Sequence, residues 1–289
     1  MLFMSLQTIK DILKNEKLAP SKKRGQNFLI HRQTAAAIVA LAGVTGDDTV
    51  VELGVGLGTL TAPLAEKVNK VIGLEIDSGI IDWQLINGNL ADNVSLIHQD
   101  LLKADFPRLA KQCGGWLKIL ANLPYSISNP LLFKLLDNRQ VMEWAVLMLQ
   151  KEVAMRLIAA PGTKEYGILT VLMAGSASVT HLLDVGPGQF YPRPKVDSVV
   201  VKFTFHPAPL RSSSLPAHDP DLLRKVVKSA FQQRRKTLLN SLSSSPFINF
   251  AKENCRKALL GAGIDPTTRA ERLTIEDFVA LTLELAKKA

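Results

Sequence analysis

The sequence predicts an α/β protein in which helices cover a mainly parallel sheet, followed by a smaller domain made only of helices. From about residue 49, short apolar runs alternate with helix-like stretches, which is the pattern of a parallel sheet covered on both faces. A break with four prolines and a serine run follows at residues 206–220, and beyond it the pattern is only helical. We therefore expect one domain over 1–206, with a basic N-terminal arm at 1–26, and a helical domain over 207–289.

Seven runs are predicted to be strands, because they are short, apolar and rich in β-branched residues. In chain order these runs lie at residues 49–53, 71–76, 94–98, 117–120, 145–149, 176–182 and 198–205. Helices are predicted at residues 59–67 and 131–136. In the C-terminal part, Asp219 and Pro220 form a typical helix start, and apolar residues then recur at helical spacing. We expect this helix to run from about residue 220 to 242.

The bulk composition is that of a globular protein, with 289 residues, 47% apolar and 21% charged. Two cysteines, Cys113 and Cys255, lie far apart and outside any metal-ligand spacing, so we predict neither a metal site nor a disulfide. No run approaches the roughly 18 apolar residues of a membrane span, and the apolar start of the chain is too short for a signal peptide. These features predict a cytoplasmic protein that does not enter a membrane.

The net charge of +9 is concentrated at the two ends of the chain. Residues 1–26 hold six basic and two acidic side chains, and residues 211–289 hold 14 basic and eight acidic ones. The middle is close to neutral, with 15 basic and 16 acidic side chains. This asymmetry indicates an acidic polymer bound through the ends, although charge that serves only solubility is the simpler alternative.

A glycine loop follows the first predicted strand, with Gly54, Gly56 and Gly58 at alternate positions. A dinucleotide-binding fingerprint needs its third glycine at position 59, where this chain has Thr59, so a nicotinamide-dependent dehydrogenase is disfavoured. The loop instead fits the looser Rossmann-like pattern of S-adenosylmethionine-dependent methyltransferases, whose ligand has no phosphate. An ordinary strand–helix turn is the alternative for this loop taken alone.

Two acidic residues follow the next strands and strengthen the methyltransferase interpretation. Glu75 ends the second predicted strand, where a carboxylate accepts hydrogen bonds from both ribose hydroxyls of a bound nucleoside. Asp100 ends the third, where it is expected to accept from an adenine amino group. Because ligands of open α/β sheets bind at the carboxyl ends of the strands, we expect Gly54, Glu75 and Asp100 to line one site.

The tetrapeptide Asn122-Leu123-Pro124-Tyr125 follows the fourth predicted strand. Methylation of an adenine amine is difficult, because the nitrogen lone pair is delocalised into the ring. The Asn122 side-chain oxygen and the Leu123 carbonyl are suited to accept the two amine hydrogens, while Pro124 stiffens the turn. Tyr125 offers a face on which an extruded base stacks. After a methyltransferase glycine loop, this pattern predicts transfer of a methyl group to adenine.

These motifs together resemble the ribosomal RNA adenine dimethyltransferase family, in its small-subunit branch. The resemblance covers nearly the whole chain and includes residues 22–29, 149–153, 190–198, 233–237 and 263–266. It implies that Asn27 and Leu29 contact the cofactor with Gly54, Glu75, Asp100 and Asn122, and that Phe190 flanks the target base with Tyr125. It also implies the substrate, which is two adjacent adenines in a hairpin loop near the 3′ end of small-subunit RNA. Each adenine receives two methyl groups.

Basic residues are predicted to bind this RNA within a pre-ribosomal small-subunit particle, with the protein acting as a monomer. On the helix expected from residue 220 to 242, spacings of four and seven place Arg224, Lys228 and Arg235 on one face. The other residues predicted to contact RNA are Arg234 and Lys236 beside that face and Lys22, Lys23 and Arg24 in the N-terminal arm.

Two alternatives remain open at this point. One is the same chemistry on large-subunit RNA, which the Gly263–Arg272 segment disfavours because it resembles the small-subunit branch. The other is a ribosome-assembly or transcription factor that uses the fold without turnover, and the intact Asn122 tetrapeptide argues against it. The chain departs from the family pattern at Ile30, His31 and Val55, and we do not assign His31 to the site.

Overall fold

A computed structural model describes residues 10–13, 25–87, 90–206, 215–233 and 235–288 of this chain. The chain forms two compact units, and the first consists of Met1–Ala154 with Val179–Pro207. The second consists of Met155–Ser178 with Ala208–Ala289, so the predicted domains 1–206 and 207–289 need correction. Residues 155–178 belong to the helical unit because they form hydrogen bonds with residues far away in the chain. A local sequence pattern does not reveal such contacts. The Tyr166 hydroxyl donates to the Leu273 carbonyl at 2.8 Å, for example.

The main sheet confirms all seven predicted strands. Its strands in chain order are β2 (Thr49–Leu53), β3 (Lys70–Glu75), β4 (Val94–His98), β5 (Leu117–Asn122), β6 (Met142–Gln150), β7 (Ala177–Val185) and β9 (Ser198–Phe205). Their order across the sheet is β4-β3-β2-β5-β6-β9-β7. The neighbours from β4 to β6 pair in parallel, and β9 is antiparallel to β6. This parallel core brings the carboxyl ends of β2, β3, β4 and β5 to one edge.

Helices cover the sheet, because its central strands are apolar on both faces. Val50, Val51 and Leu53 of β2 and Ile119 of β5 are fully buried. The helices of the first unit in chain order are α1 (Arg32–Ala42), α2 (Thr61–Ala65), α3 (Ser78–Ile86), α4 (Phe106–Gln112) and α5 (Ser128–Asp137), while α6 (Lys151–Leu157) crosses into the second. The helices predicted at residues 59–67 and 131–136 correspond to α2 and α5.

A small two-stranded sheet was not predicted. β1 (Phe28–Leu29) pairs antiparallel with β8 (Phe190–Tyr191), which brings residues from opposite parts of the unit together. The Phe28 ring lies over the glycine loop, since a Cβ added to Gly56 would be 3.1 Å from Phe28 Cδ1. Two-residue strands carry no period that a sequence pattern reveals, so only the tertiary pairing defines them.

In its described residues the second unit has helices as its regular structure, apart from the first two residues of β7. It contains α7 (Ile168–Ala174), α8 (Pro220–Phe231), α9 (Leu238–Ser243), α10 (Lys252–Gly261) and α11 (Ile275–Ala286). The predicted start of α8 is confirmed, because the Asp219 carboxylate accepts from the backbone N–H groups of Asp221 and Leu222. The prediction of one helix from residue 220 to 242 was wrong, since α8 ends at Phe231. The Leu238 and Leu239 N–H groups instead donate to the carbonyls of Thr268 and Pro266, which starts α9 separately.

Candidate functional site

The glycine loop joins β2 to α2 and has the backbone that the sequence predicts. Gly54, Gly56 and Gly58 have φ angles of 81°, 55° and 79°, which side chains with a Cβ rarely adopt. The Gln84 amide of α3 donates to the Gly56 carbonyl at 3.0 Å and packs against Gly58, where a Cβ would lie 2.9 Å from Gln84 Nε2. The loop is therefore held in one conformation, and close packing as well as φ requires glycine at position 58.

Glu75 ends β3 as predicted and is 5% exposed. Its Oε2 atom accepts from the Gly56 N–H at 2.9 Å. Its Oε1 atom accepts from the N–H groups of Ile76 at 2.9 Å and Asp77 at 3.0 Å. Three backbone donors thus fix the carboxylate beside the glycine loop. Contact with a ribose remains a prediction at this position.

Asp100 lies two residues beyond the end of β4 rather than at the end of the strand. Its Oδ1 atom accepts from the Leu102 N–H at 2.9 Å, which orients the carboxylate in the turn. The Gln99 N–H donates to the Glu75 carbonyl at 2.8 Å and joins this turn to the end of β3. Asp100 and Glu75 are consequently neighbours at one edge of the sheet.

Glu52 of β2 was missed as a site residue in the sequence analysis, which treated it only as part of the strand. It is 1% exposed, and neither carboxylate oxygen has a hydrogen-bond partner among the described residues. Removal from water raises the pKa of Glu52 to about 8, and the charge of Glu75 adds to this rise, while the adjacent Thr61 hydroxyl opposes it. A buried acid without a partner is costly in a core, and such groups concentrate at functional sites, so Glu52 is a candidate site residue.

The Asn122 tetrapeptide lies where β5 ends. The Asn122 side-chain amide donates to the Asn27 carbonyl at 3.2 Å, across 95 positions of sequence. This bond uses Nδ2, so Oδ1 is the acceptor atom of the amide. Pro124 has a φ of −56° and ψ of 130°, and its carbonyl accepts from the Ile127 N–H at 3.1 Å. The tetrapeptide is therefore a fixed turn and not a loose loop.

Tyr125 follows in a single helical turn, Tyr125–Ile127, and is partly buried. Its phenol oxygen lies 2.8 Å from the hydroxyl of Ser198, a fully buried residue at the start of β9. Burial raises the pKa of Tyr125, so the phenol stays protonated at neutral pH. The sequence analysis did not single out Ser198 for a role in the site.

A cavity of about 290 Å³ opens at this edge of the sheet. Seven of the predicted site residues line it, and they are Asn27, Leu29, Gly54, Glu75, Asp100, Asn122 and Pro124. The cavity wall also contains residues that were not predicted to belong to the site, among them Glu52, Ile76, Leu101 and Leu102. The wall combines apolar side chains with a few carboxylates and backbone groups, which is typical of a site for a small organic molecule.

Phe190 is a correction to the predicted site. Its ring is 3% exposed, belongs to a core cluster with Leu29 and Val146, and does not line the cavity. Pairing of β8 with β1 turns Phe190 toward the sheet, so this side chain offers no free face for stacking. Leu123 is also buried, at 2%, which leaves its carbonyl as the atom of interest.

The predicted RNA-binding residues fall into two groups. The first group lies outside the described residues and consists of Lys22, Lys23, Arg24 and Arg234. Arg224 and Lys228 lie one turn apart on α8, whereas Arg235 and Lys236 are exposed in the turn before α9. Arg235 therefore does not share a helix with Arg224 and Lys228, because α8 ends before it. RNA contact by these residues remains a prediction.

The described residues offer neither a metal site nor a membrane span. No group of three or more His, Cys, Asp or Glu side chains there is arranged to hold a metal ion. No helix in the same residues is long and apolar enough to cross a membrane. Cys113 and Cys255 are both free thiols.

Comparisons with known proteins show the family of this chain. The sequence profile of the ribosomal RNA adenine dimethylase family matches residues 19–287. A relative from Desulfotalea psychrophila, ribosomal RNA small subunit methyltransferase A, is 52% identical over 93% of this chain and 92% of its own. A dimethyladenosine transferase structure from Plasmodium falciparum is 29% identical, with a TM-score of 0.74 over 89% of this chain and 97% of its own.

A more distant structure, the 23S rRNA methyltransferase ErmE, shares the fold. It is 24% identical, and its TM-score is 0.65 over 90% of this chain and 100% of its own. The profile match spans both compact units, and the match to the Desulfotalea psychrophila relative covers 93% of this chain. The chain therefore belongs to the ribosomal RNA adenine dimethylase family.

Proposed function

We propose that this chain transfers methyl groups from S-adenosylmethionine to the exocyclic amines of two adjacent adenosines of small-subunit ribosomal RNA. The target lies in a hairpin loop near the 3′ end, and each adenosine becomes dimethylated during small-subunit biogenesis. One observation carries the proposal. The Asn122 amide, held by the Asn27 carbonyl at 3.2 Å, opens on the cavity that the glycine loop and Glu75 also line.

The cavity fits the cofactor on grounds of its own chemistry. The orphaned carboxylate of buried Glu52 suits a ligand that brings positive charge, and S-adenosylmethionine carries a sulfonium and an ammonium group. Glu75 would hold the ribose and Asp100 the adenine amine, while Asn27, Leu29 and Gly54 contact the remainder. When bound, the cofactor supplies an activated methyl group on its sulfonium.

Positioning of the target amine is the main task of the protein. Asn122 Oδ1 accepts one amine hydrogen and the Leu123 carbonyl accepts the other, which favours a tetrahedral nitrogen with an available lone pair. The φ of −56° at Pro124 keeps the turn in place. Tyr125 stacks on the extruded base, and its hydroxyl forms a hydrogen bond with the Ser198 hydroxyl.

The helical segment 207–289 and the basic arm 1–26 position the RNA in this proposal. Arg224, Lys228, Arg235 and Lys236 contact phosphates of a structured stem, where shape and charge are recognised more than base edges. The arm, with Lys22, Lys23 and Arg24, serves the same purpose, and so does Arg234. We propose a monomer that acts in the cytoplasm on a pre-ribosomal small-subunit particle.

The proposal is tested by transfer of labelled methyl groups to small-subunit particles that lack the modification. The wild-type protein should incorporate about four methyl groups per particle, two on each of two adenines, whereas Asn122→Ala should incorporate few. Large-subunit particles are the matched control. Transfer to these alone would replace the proposed substrate with large-subunit RNA. Binding to particles without any transfer would favour an assembly factor and overturn the enzymatic proposal.

A further inference from the structure

Phe247 of the second unit is an aromatic residue that is nearly half exposed. It is 46% exposed, in the segment between α9 and α10. Phe231 and Phe278 of the same unit are 8% and 0% exposed, and their rings stack on each other with centroids 5.9 Å apart. Phe247 is therefore not needed to complete that core, and its ring remains available for a partner.

A chain of hydrogen bonds fixes the backbone beneath this ring. The Phe247 N–H donates to the Ser245 hydroxyl at 3.1 Å, and the Ser245 hydroxyl donates to Ser229 Oγ at 2.7 Å. The Ser229 hydroxyl donates in turn to the Lys225 carbonyl at 2.6 Å, and Ser229 is fully buried in α8. The exposed ring is thus attached to α8 at a defined position, which reduces the entropy lost when a ligand stacks on it.

A positive charge lies over the ring. Lys228 Nζ is 6.0 Å from the Phe247 ring centroid. Residues 215–236 carry six basic and two acidic side chains, and the two acidic residues, Asp219 and Asp221, lie at the start of α8, away from Lys228. An aromatic ring with an ammonium group over it matches the two parts of a nucleotide, because a base stacks on the exposed part of the ring while the phosphate pairs with the cation.

We propose that Phe247 and Lys228 form a binding site for one unpaired nucleotide of the RNA substrate, with the base stacked on Phe247 and its phosphate paired with Lys228. This inference rests on the proposed RNA substrate and adds a contact in the helical unit, outside the cofactor cavity. Ser245 and Ser229 are positioning residues for the ring. The site recognises an unstacked base of any identity, since every base has an aromatic face.

Fluorescence of a Phe247→Trp variant tests this contact directly. The variant is compared with Leu260→Trp, which places the same fluorophore on α10 at a residue that is 59% exposed. Each is titrated with small-subunit particles that lack the modification, and the wild-type emission from the three native tryptophans is subtracted. We expect the added emission at position 247 to be quenched and shielded from acrylamide, with no change at position 260. Equal responses at the two positions would overturn the proposal.

Affinity provides the second measurement. Phe247→Ala should weaken particle binding about tenfold, whereas Phe247→Tyr, which keeps the ring, should bind as the wild type does. Cofactor affinity and the melting temperature should not change in either variant. Wild-type binding to particles combined with undiminished binding by Phe247→Ala would overturn this site alone. Failure of the wild-type protein to bind particles would instead overturn the proposed function.

Discussion

The phenol oxygen of Tyr125 lies 2.8 Å from the hydroxyl of Ser198, so the residue proposed to stack on the target base is attached to β9. Ser198→Ala should leave the Tyr125 ring in place but less restrained. We expect kcat to fall about three- to tenfold, which corresponds to one lost hydrogen bond, while cofactor affinity is unchanged. Tyr125→Phe should have a similar effect, and the double variant should be no worse than either single one, because both remove the same bond. Additive losses in steady-state kinetics would contradict this.

Asn122→Ala should lower the rate of methyl transfer by about a hundredfold or more, since its contact with the amine strengthens mainly in the transition state. Particle affinity should change little. Single-turnover kinetics with saturating particles measures the chemical step, and filter binding measures affinity. A rate equal to that of the wild type would show that Asn122 has no part in the chemistry.

Glu75→Ala should weaken binding of S-adenosylmethionine by about 1–3 kcal/mol, because the ribose hydroxyls lose their acceptor in a partly closed site. Glu75 also accepts from the N–H groups of Gly56, Ile76 and Asp77, so the variant needs a fold control. Calorimetry gives the affinity, and the melting temperature without cofactor gives the stability. Glu75→Gln, which keeps one carbonyl acceptor, should show a smaller loss. Unchanged affinity in Glu75→Ala would remove Glu75 from the cofactor site.

Glu52 should make the stability of the cofactor-free protein depend on pH. Its pKa is raised to about 8 in the folded state from 4.5. Between these values the folded protein holds a proton that the unfolded chain releases, so stability falls as pH rises from about 4.5 to 8. The limiting slope is about 1.4 kcal/mol per pH unit. Glu52→Gln cannot ionise and should lose this component.

Melting temperatures at pH 6 and pH 8 check this expectation. The difference between the two pH values should be smaller for Glu52→Gln than for the wild type. Glu165→Gln is the matched control, because it removes the same charge at an exposed position. An equal pH response in Glu52→Gln and the wild type would mean that Glu52 is ionised throughout the range.

Arg235→Ala combined with Lys236→Ala should reduce the salt dependence of particle binding. Each lost phosphate contact lowers the slope of log affinity against log salt by about one unit, so two contacts predict a change of about two. Lys287→Ala combined with Lys288→Ala removes the same charge at the end of α11 and should leave the slope unchanged. The same slope in both double variants and the wild type would place the RNA surface elsewhere.

Much of the fold follows from local pattern. The predicted strands at 49–53, 94–98 and 198–205 have the bounds that β2, β4 and β9 have in the structure, because short β-branched runs that end at glycine or polar residues leave little choice of conformation. The prediction from local pattern was wrong at residues 220–242. Helical spacing continues there, but hydrogen bonds to the carbonyls of Thr268 and Pro266 start a second helix. The prediction was also wrong for residues 155–178, which pack with the second unit.

The sequence by itself determined which residues meet at the site, because residues that follow consecutive parallel strands necessarily lie at one edge of the sheet. Gly54, Glu75 and Asn122 could be placed together on that ground alone. Only the tertiary structure decided which other groups share the edge. It joined Asn122 to the Asn27 carbonyl, left the Glu52 carboxylate without a hydrogen-bond partner in the part of the chain that the structure describes, and turned Phe190 into the core. These outcomes depend on contacts between residues far apart in the chain, and no local period or spacing encodes them.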